Sequence, residues 1–233
     1  MSVSRSYPIR CPKCSTEFEA VLHDSINRKE SPELREALLE NRVNTAVCPG
    51  CAFGFRVDKD LLYHDPENRF MIYWNAAGEA GLAAAQREFQ LLLSALPPGG
   101  PELPALHLVL SRIELIERIF VLESGLNPRL VEYIKHMVFT NNRAKVDPNL
   151  KRILFNAKDS TEEMLFFVVQ DAASGELEQA LTYSRKAYQV LSDLFDRDDQ
   201  TPSLMELFPG PVVSARRLLR NPPKPGPGPA AAG

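Results

Sequence analysis

The residues with the most chemistry in their spacing are four cysteines. Cys11-Pro12-Lys13-Cys14 and Cys48-Pro49-Gly50-Cys51 form two C-P-x-C pairs separated by residues 15 to 47, and the chain has no other cysteine. A stray cysteine is usually a small buried hydrophobe, but four confined to two matched turns need a shared reason. Each turn holds two thiolates close to a common point, and two turns brought together complete a tetrahedral metal site. Cys11, Cys14, Cys48 and Cys51 are therefore the expected metal ligands. Four soft thiolates select Zn2+ or an iron centre, with Zn2+ the first choice. With every position filled by protein no water can be activated, so the expected role is structural. The competing chemistry is a dithiol redox centre, which needs one pair opening a helix whose dipole acidifies a thiol. Both pairs here run into alternating, strand-like residues.

Glycine is expected immediately after each motif, where φ is often positive. Ser15 and Ala52 stand there instead. Arg10, Lys13 and Arg56 lie close in sequence to the turns, and their expected use is to offset the negative charge of the cluster. Three charges are few for phosphate binding. Among the histidines (His23, His64, His107 and His136), His64-Asp65 would form an acid/base pair if buried in a cleft. The simpler reading of Tyr63-His64-Asp65-Pro66 is a turn. His107 and His136 are expected in helices. No phosphate-binding glycine loop, nucleophile elbow or H-E-x-x-H helix occurs.

The elements that must position the cysteines are legible around them. Thr16 to Leu22 alternates as a strand. Ser31-Pro32 opens a short helix with Glu33 in its first turn and Leu34, Ala37 and Leu38 on one side, and Asn41 stops it. Val43 to Val47 enters the second turn as a strand, Phe53, Phe55 and Val57 leave it as another, and Arg69 to Trp74 is a further strand. From Ala76 the period changes to that of helices. Leu82, Ala85, Phe89, Leu92 and Leu96 make one stripe, ending at Pro97 to Pro101. Leu106, Val109, Leu110, Ile113, Ile116 and Phe120 make a second, stopped at Gly125, and Leu130, Ile134 and Met137 or Val138 a third. Strands are expected at 152–157, 165–170 and 177–182, with a helix from Lys186 to Phe195. The tail, with Arg216, Arg217 and Arg220 before its Pro- and Gly-rich end, carries no apolar period after Leu219, and 221–233 is expected to be disordered.

The expected fold class is α+β. An N-terminal zinc-ribbon-like antiparallel sheet with an inserted short helix occupies 6–75. A helix and Pro/Gly connector follow at 76–103, a helical and small antiparallel sheet region at 104–208, and a Pro/Gly/Ala-rich tail at 209–233.

Composition bounds the partners. The chain has 233 residues, is 44% hydrophobic and 24% charged, and carries a formal net charge of −3, matching an ordinary globular protein. Four thiolates on one Zn2+ would bring it to about −5, which argues against polyanion binding. No secretion signal or membrane span is read, so a cytoplasmic location is expected, where thiols stay reduced. The expected partner is another protein or a second copy, engaged through the apolar helix stripes.

Beyond the cysteines, several stretches bring a known family into view. Asp24-Ser25-Ile26-Asn27, Ser31-Pro32-Glu33-Leu34-Arg35-Glu36 with Leu38-Leu39, Leu61-Leu62-Tyr63-His64-Asp65 and Phe70-Met71-Ile72-Tyr73 lie within and after the two motifs. Together they resemble the CpXC-domain family of bacterial and archaeal proteins. Ile153-Leu154-Phe155 and Phe166-Phe167-Val168 look like its C-terminal part. The likeness spans residues 6 to 75 most closely and extends to about 195. It implies a zinc-ribbon-like fold with Cys11, Cys14, Cys48 and Cys51 as signature residues, and implies no reaction.

Overall fold

The structure is a computed structural model describing residues 1–95, 104–197 and 203–221. Its class is α+β, and the chain divides into two compact units, Met1–Glu123 and Ser124–Gly233.

In the first unit β1 (Val3–Arg10) and β2 (Glu17–Asn27) form a long hairpin with Cys11 to Thr16 at its tip. α1 (Pro32–Leu39) has Pro32 in its first turn, and Asn41 beyond its end takes φ 59°, the left-handed stop that asparagine tolerates. The Ser31 side chain makes no cap bond; its hydroxyl accepts from Ser2 instead. β3 (Thr45–Val47) and β4 (Gly54–Arg56) form a second, short hairpin around Cys48 to Phe53. β5 (Leu61–Asp65) and β6 (Phe70–Trp74) follow, then α2 (Leu82–Ala95), β7 (Ala105–Val109) and α3 (Arg112–Glu123).

The main sheet has the order β1-β2-β5-β6-β7. It is mixed rather than wholly antiparallel, since β2 runs parallel to β5 and β6 to β7. Leu61, Tyr63, Phe70, Ile72 and Trp74 lie on one face with Ile26, and Leu38 of α1 and Leu115 and Ile119 of α3 bury against them. Each such side chain contributes about 1.5–3 kcal/mol when fully buried. The opposite face carries Leu62 and Tyr73 toward α2, whose buried residues are Ala85 and Phe89.

Two expectations change here. Leu106, Val109 and Leu110 match a helical period, but Ala105 to Val109 is a strand beside β6, because the apolar run ALHLVL also suits a strand buried between neighbours. His107 therefore lies in β7, not in a helix. The sheet begun before residue 75 is thus completed by chain from beyond it, and a boundary at 75 divides one core.

In the second unit α4 (Pro128–Asn141) starts at Asn127, whose side chain accepts the Arg129 N–H at 2.9 Å. β8 (Lys151–Asn156), β9 (Met164–Asp171) and β10 (Leu177–Ser184) form an antiparallel sheet in the order β10-β9-β8. Ile153, Phe155, Leu165, Phe167 and Val169 bury its inner face. α5 (Arg185–Arg197), α6 (Leu204–Leu207) and α7 (Ala215–Arg220) complete the unit. The helix α7 falls where only tail was expected, while 222–233 lies outside the described residues. It docks through Glu132 of α4. One Glu132 oxygen accepts the Ala215 N–H at 2.7 Å and the other accepts from Lys135 Nζ at 2.7 Å. Among the described residues no helix is long and apolar enough to cross a membrane.

Candidate metal centre

The two cysteine turns are built alike. In the first, Cys11 N–H donates to the Thr16 carbonyl and Ser15 N–H to that of Cys11, both at 2.9 Å. In the second, Cys48 N–H donates to Phe53 at 3.0 Å and Ala52 N–H to Cys48 at 2.9 Å. The same two bonds at the same offsets mean the same backbone path. That path turns through the left-handed region immediately after each second cysteine, at φ 62° for Ser15 and 55° for Ala52. Those are the two positions where the sequence leads one to expect glycine. A side chain there carries a cost of about 1–2 kcal/mol.

The hairpins bring all four expected ligands together. Every pair of sulfur atoms lies within 4.8 Å, with Cys11 and Cys51 at 3.7 Å and Cys14 and Cys48 at 3.5 Å. No disulfide joins them. Both of these contacts join one turn to the other. A tetrahedron with metal–sulfur bonds of about 2.3 Å has edges of about 3.8 Å, so the donor set fits a four-coordinate metal ion. Cys11 and Cys48 are buried, Cys51 is half-buried and Cys14 exposed.

Electrostatics fit a cation too. The Thr16 hydroxyl and N–H, with help from the Cys51 thiol, hold Cys14 down at about 6. At Cys51 the Phe53 N–H works in the same direction, but the Cys14 thiol, burial, and the Cys11 and Cys48 thiols push it up to about 12. One negative charge is easily borne and a second is resisted, which is the behaviour of clustered acids that lack a counter-ion.

Two residues of the site escape the cysteine spacing. Thr16 sets its hydroxyl 3.2 Å from Cys14 Sγ. Gly50 lets the second turn close on the first, since a Cβ there would sit 2.8 Å from that same hydroxyl. The aromatic residues leaving the turns pack together, with Phe18 edge-on to Phe55 and Phe53 stacked on it. Of the three expected counter-charges, Arg10 donates to the Ser15 carbonyl at 3.3 Å, Arg56 pairs with Asp58 at 3.1 Å, and Lys13 stands over the Phe53 ring.

The His64–Asp65 dipeptide lies elsewhere in this unit and is structural in its contacts. Asp65 ends β5 with its side chain fully buried and accepts four hydrogen bonds. Oδ1 takes the N–H groups of Glu67 and Asn68, both at 3.1 Å, and Oδ2 takes Arg28 Nη1 at 2.6 Å and Asn68 Nδ2 at 2.8 Å. Burial alone would raise its pKa, but Asn68 and then Arg28 hold it below the ordinary carboxylate value. Glu123 extends the network to Arg35 at 2.6 Å. Burial holds His64 below its usual pKa. On β5 its side chain leaves the opposite face of the sheet from that of Asp65. The strand runs through Tyr63 and His64, so the expected turn begins two residues later.

Comparison with known proteins adds one finding. A family model described as CpXC protein matches residues 9–135. That span holds both cysteine turns and most of the first unit. No curated protein and no solved structure matches the chain.

Proposed function

The chain belongs to the CpXC family, and from that premise we propose that Cys11, Cys14, Cys48 and Cys51 bind one Zn2+ as a structural site. The body it stiffens acts by binding another protein rather than by turning over a substrate. The observation that carries this reading is the convergence of four sulfur atoms, all within 4.8 Å, from two hairpin tips. Four protein donors fill the coordination of Zn2+ and leave no position for substrate or activated water. The metal fastens the tip of the long β1–β2 hairpin to the short β3–β4 hairpin, which has little core of its own. A binding role is supported by large apolar side chains left on surface helices. α2 exposes Leu91 at 62%, and α5 exposes Val190 at 61% and Leu194 at 43%.

A second reading, dithiol redox chemistry, draws on the exposed Cys14 with its low pKa. Against it, each C-P-x-C lies in a hairpin rather than at a helix start, and sulfur contacts of 3.5 Å and 3.7 Å cross between the turns. Titration of thiols on native protein separates the two. Four thiols shielded until a chelator is added support zinc, and one fast-reacting thiol on untreated protein supports redox.

A further inference from the structure

Sheet edges are where a folded chain is exposed to its own copies, and proteins usually blunt them with charge, proline or cover. The edge strands here differ in that respect. β1 carries Arg5, Pro8 and Arg10, and β8 begins with Lys151 and Arg152. β7 is five residues long with Leu108 and Val109 buried. β10 is the least protected: it runs for eight residues, LEQALTYS, without proline or glycine, and from Gln179 to Ser184 it pairs with β9 in unbroken register after one shift between Leu177 and Gln179. Its one charge, Glu178, is already paired with Lys151. Among the described residues, β9 is its only strand neighbour.

The side chains along this edge stop in mid-layer. On the inner face of the sheet Phe155 pairs with Phe167 and Phe167 with Leu181. Phe155 and Phe167 are buried at 5% and 3%, while Leu181 is only half-buried, as is Tyr183. The apolar row therefore ends at β10 with one side open. Beside that end lie Tyr183, Ala187, Val190 and Leu191, lining a groove of about 470 Å³ between β10 and α5.

We propose that β10 joins two copies of this chain, their edge strands pairing antiparallel about a two-fold axis at Leu181, so that two three-stranded sheets become one of six. This rests on the reading of the chain as a protein-binding module and names the partner as a second copy. A two-fold axis normal to a sheet keeps each face on its own side, so opposed residues must come from the same face and the axis must fall at a residue. At Leu181 the apolar row continues into that of the second copy. Tyr183 then meets Gln179 and Ala180 meets Thr182, while Glu178 lies at the register shift beyond these pairs and does not face a second Glu178. No like charges are opposed, and every second residue of β10 finds backbone partners that it lacks among the described residues.

The experiment uses the full zinc-loaded chain in sedimentation over a dilution series, with Leu181→Lys and Leu181→Glu. The parent is expected to dimerise. Each variant alone sets two like charges across the axis and is expected to dissociate at concentrations at least about tenfold higher than the parent, about 1.4 kcal/mol. An equimolar mixture is expected to recover the dimer, because Lys then faces Glu. Recovery excludes misfolding as the cause of dissociation. A monomeric parent, variants that dimerise like the parent, or a mixture that stays monomeric each overturns the proposal. A dimer indifferent to both substitutions removes β10 while leaving association through another surface. Failure of the zinc-site reading would show separately, as folded chain without metal.

Discussion

Replacing Asp65 by asparagine should damage the first unit far more than a surface change, and by an amount its contacts allow to be worked out. Asparagine keeps the shape, and its one oxygen can still accept the Glu67 and Asn68 N–H groups. Its amide nitrogen then meets Arg28 Nη1 and Asn68 Nδ2, donors that Oδ2 holds at 2.6 Å and 2.8 Å. Removing one partner of a buried ion pair costs about 3–5 kcal/mol. Arg28 keeps 29% of its side chain exposed and lies 3.8 Å from Glu123, so the lower end, about 3 kcal/mol, applies. Trp74, the only tryptophan, is 2% exposed in the core of the same unit and reports its unfolding directly. With an m-value of about 1.5 kcal/mol per M urea, the midpoint should fall by about 2 M. The pH dependence has a definite sign. The folded carboxyl lies below its unfolded value of about 3.9, so its contribution is complete above that pH and is lost as the pH falls through the folded pKa. The gap between parent and variant should stay level from about pH 8 to 5 and close in more acid solution. A midpoint within about 0.3 M of the parent, or a gap that widens in acid, would refute the reasoning.

Three further substitutions probe other parts of the account. Ala52→Gly relieves the positive φ after the second motif and should stabilise the metal-loaded protein by about 0.5–1 kcal/mol after the entropy of glycine is set against it, seen as a higher thermal midpoint. A lower midpoint would contradict the strain argument. Gly50→Ala drives a methyl toward the Thr16 hydroxyl and should cost about 1–3 kcal/mol, seen as metal loss at lower chelator concentration; unchanged retention would show that the turns need not close so tightly. Glu132→Gln removes the charge that Lys135, only 4% exposed, holds at 2.7 Å and loosens α7, at a cost of about 3 kcal/mol. Trypsin should then cut at Arg216, Arg217 and Arg220 sooner than in the parent, and equal rates would refute the role of Glu132 in docking α7.

What could be read from residue order was what is encoded locally. Two identical cysteine turns announce themselves by spacing, and the left-handed conformations of Ser15 and Ala52 follow from the turn that spacing requires. The Asn41 stop is likewise written within a few residues. The parallel pairings of β2 with β5 and β6 with β7 join segments distant in sequence, and no local pattern declares them. β7 imitates a helical stripe because Leu106, Val109 and Leu110 happen to stand three and one residues apart. β1 is exposed along most of its length, so it has no apolar alternation to reveal it. Thr16 and Gly50 were missed because their role depends on one turn meeting the other. Asp65 was legible as a turn residue from the proline after it. Its tie to Arg28, 37 positions away, was not.

The central claim is that four converged cysteines bind a structural zinc, and elemental analysis of the purified native chain tests it most directly. The account predicts one zinc per chain, no iron, and loss of the folded Trp74 fluorescence when a chelator strips the metal. A folded, metal-free chain whose cysteines cycle reversibly through a disulfide would contradict it and make those same residues the reactive centre.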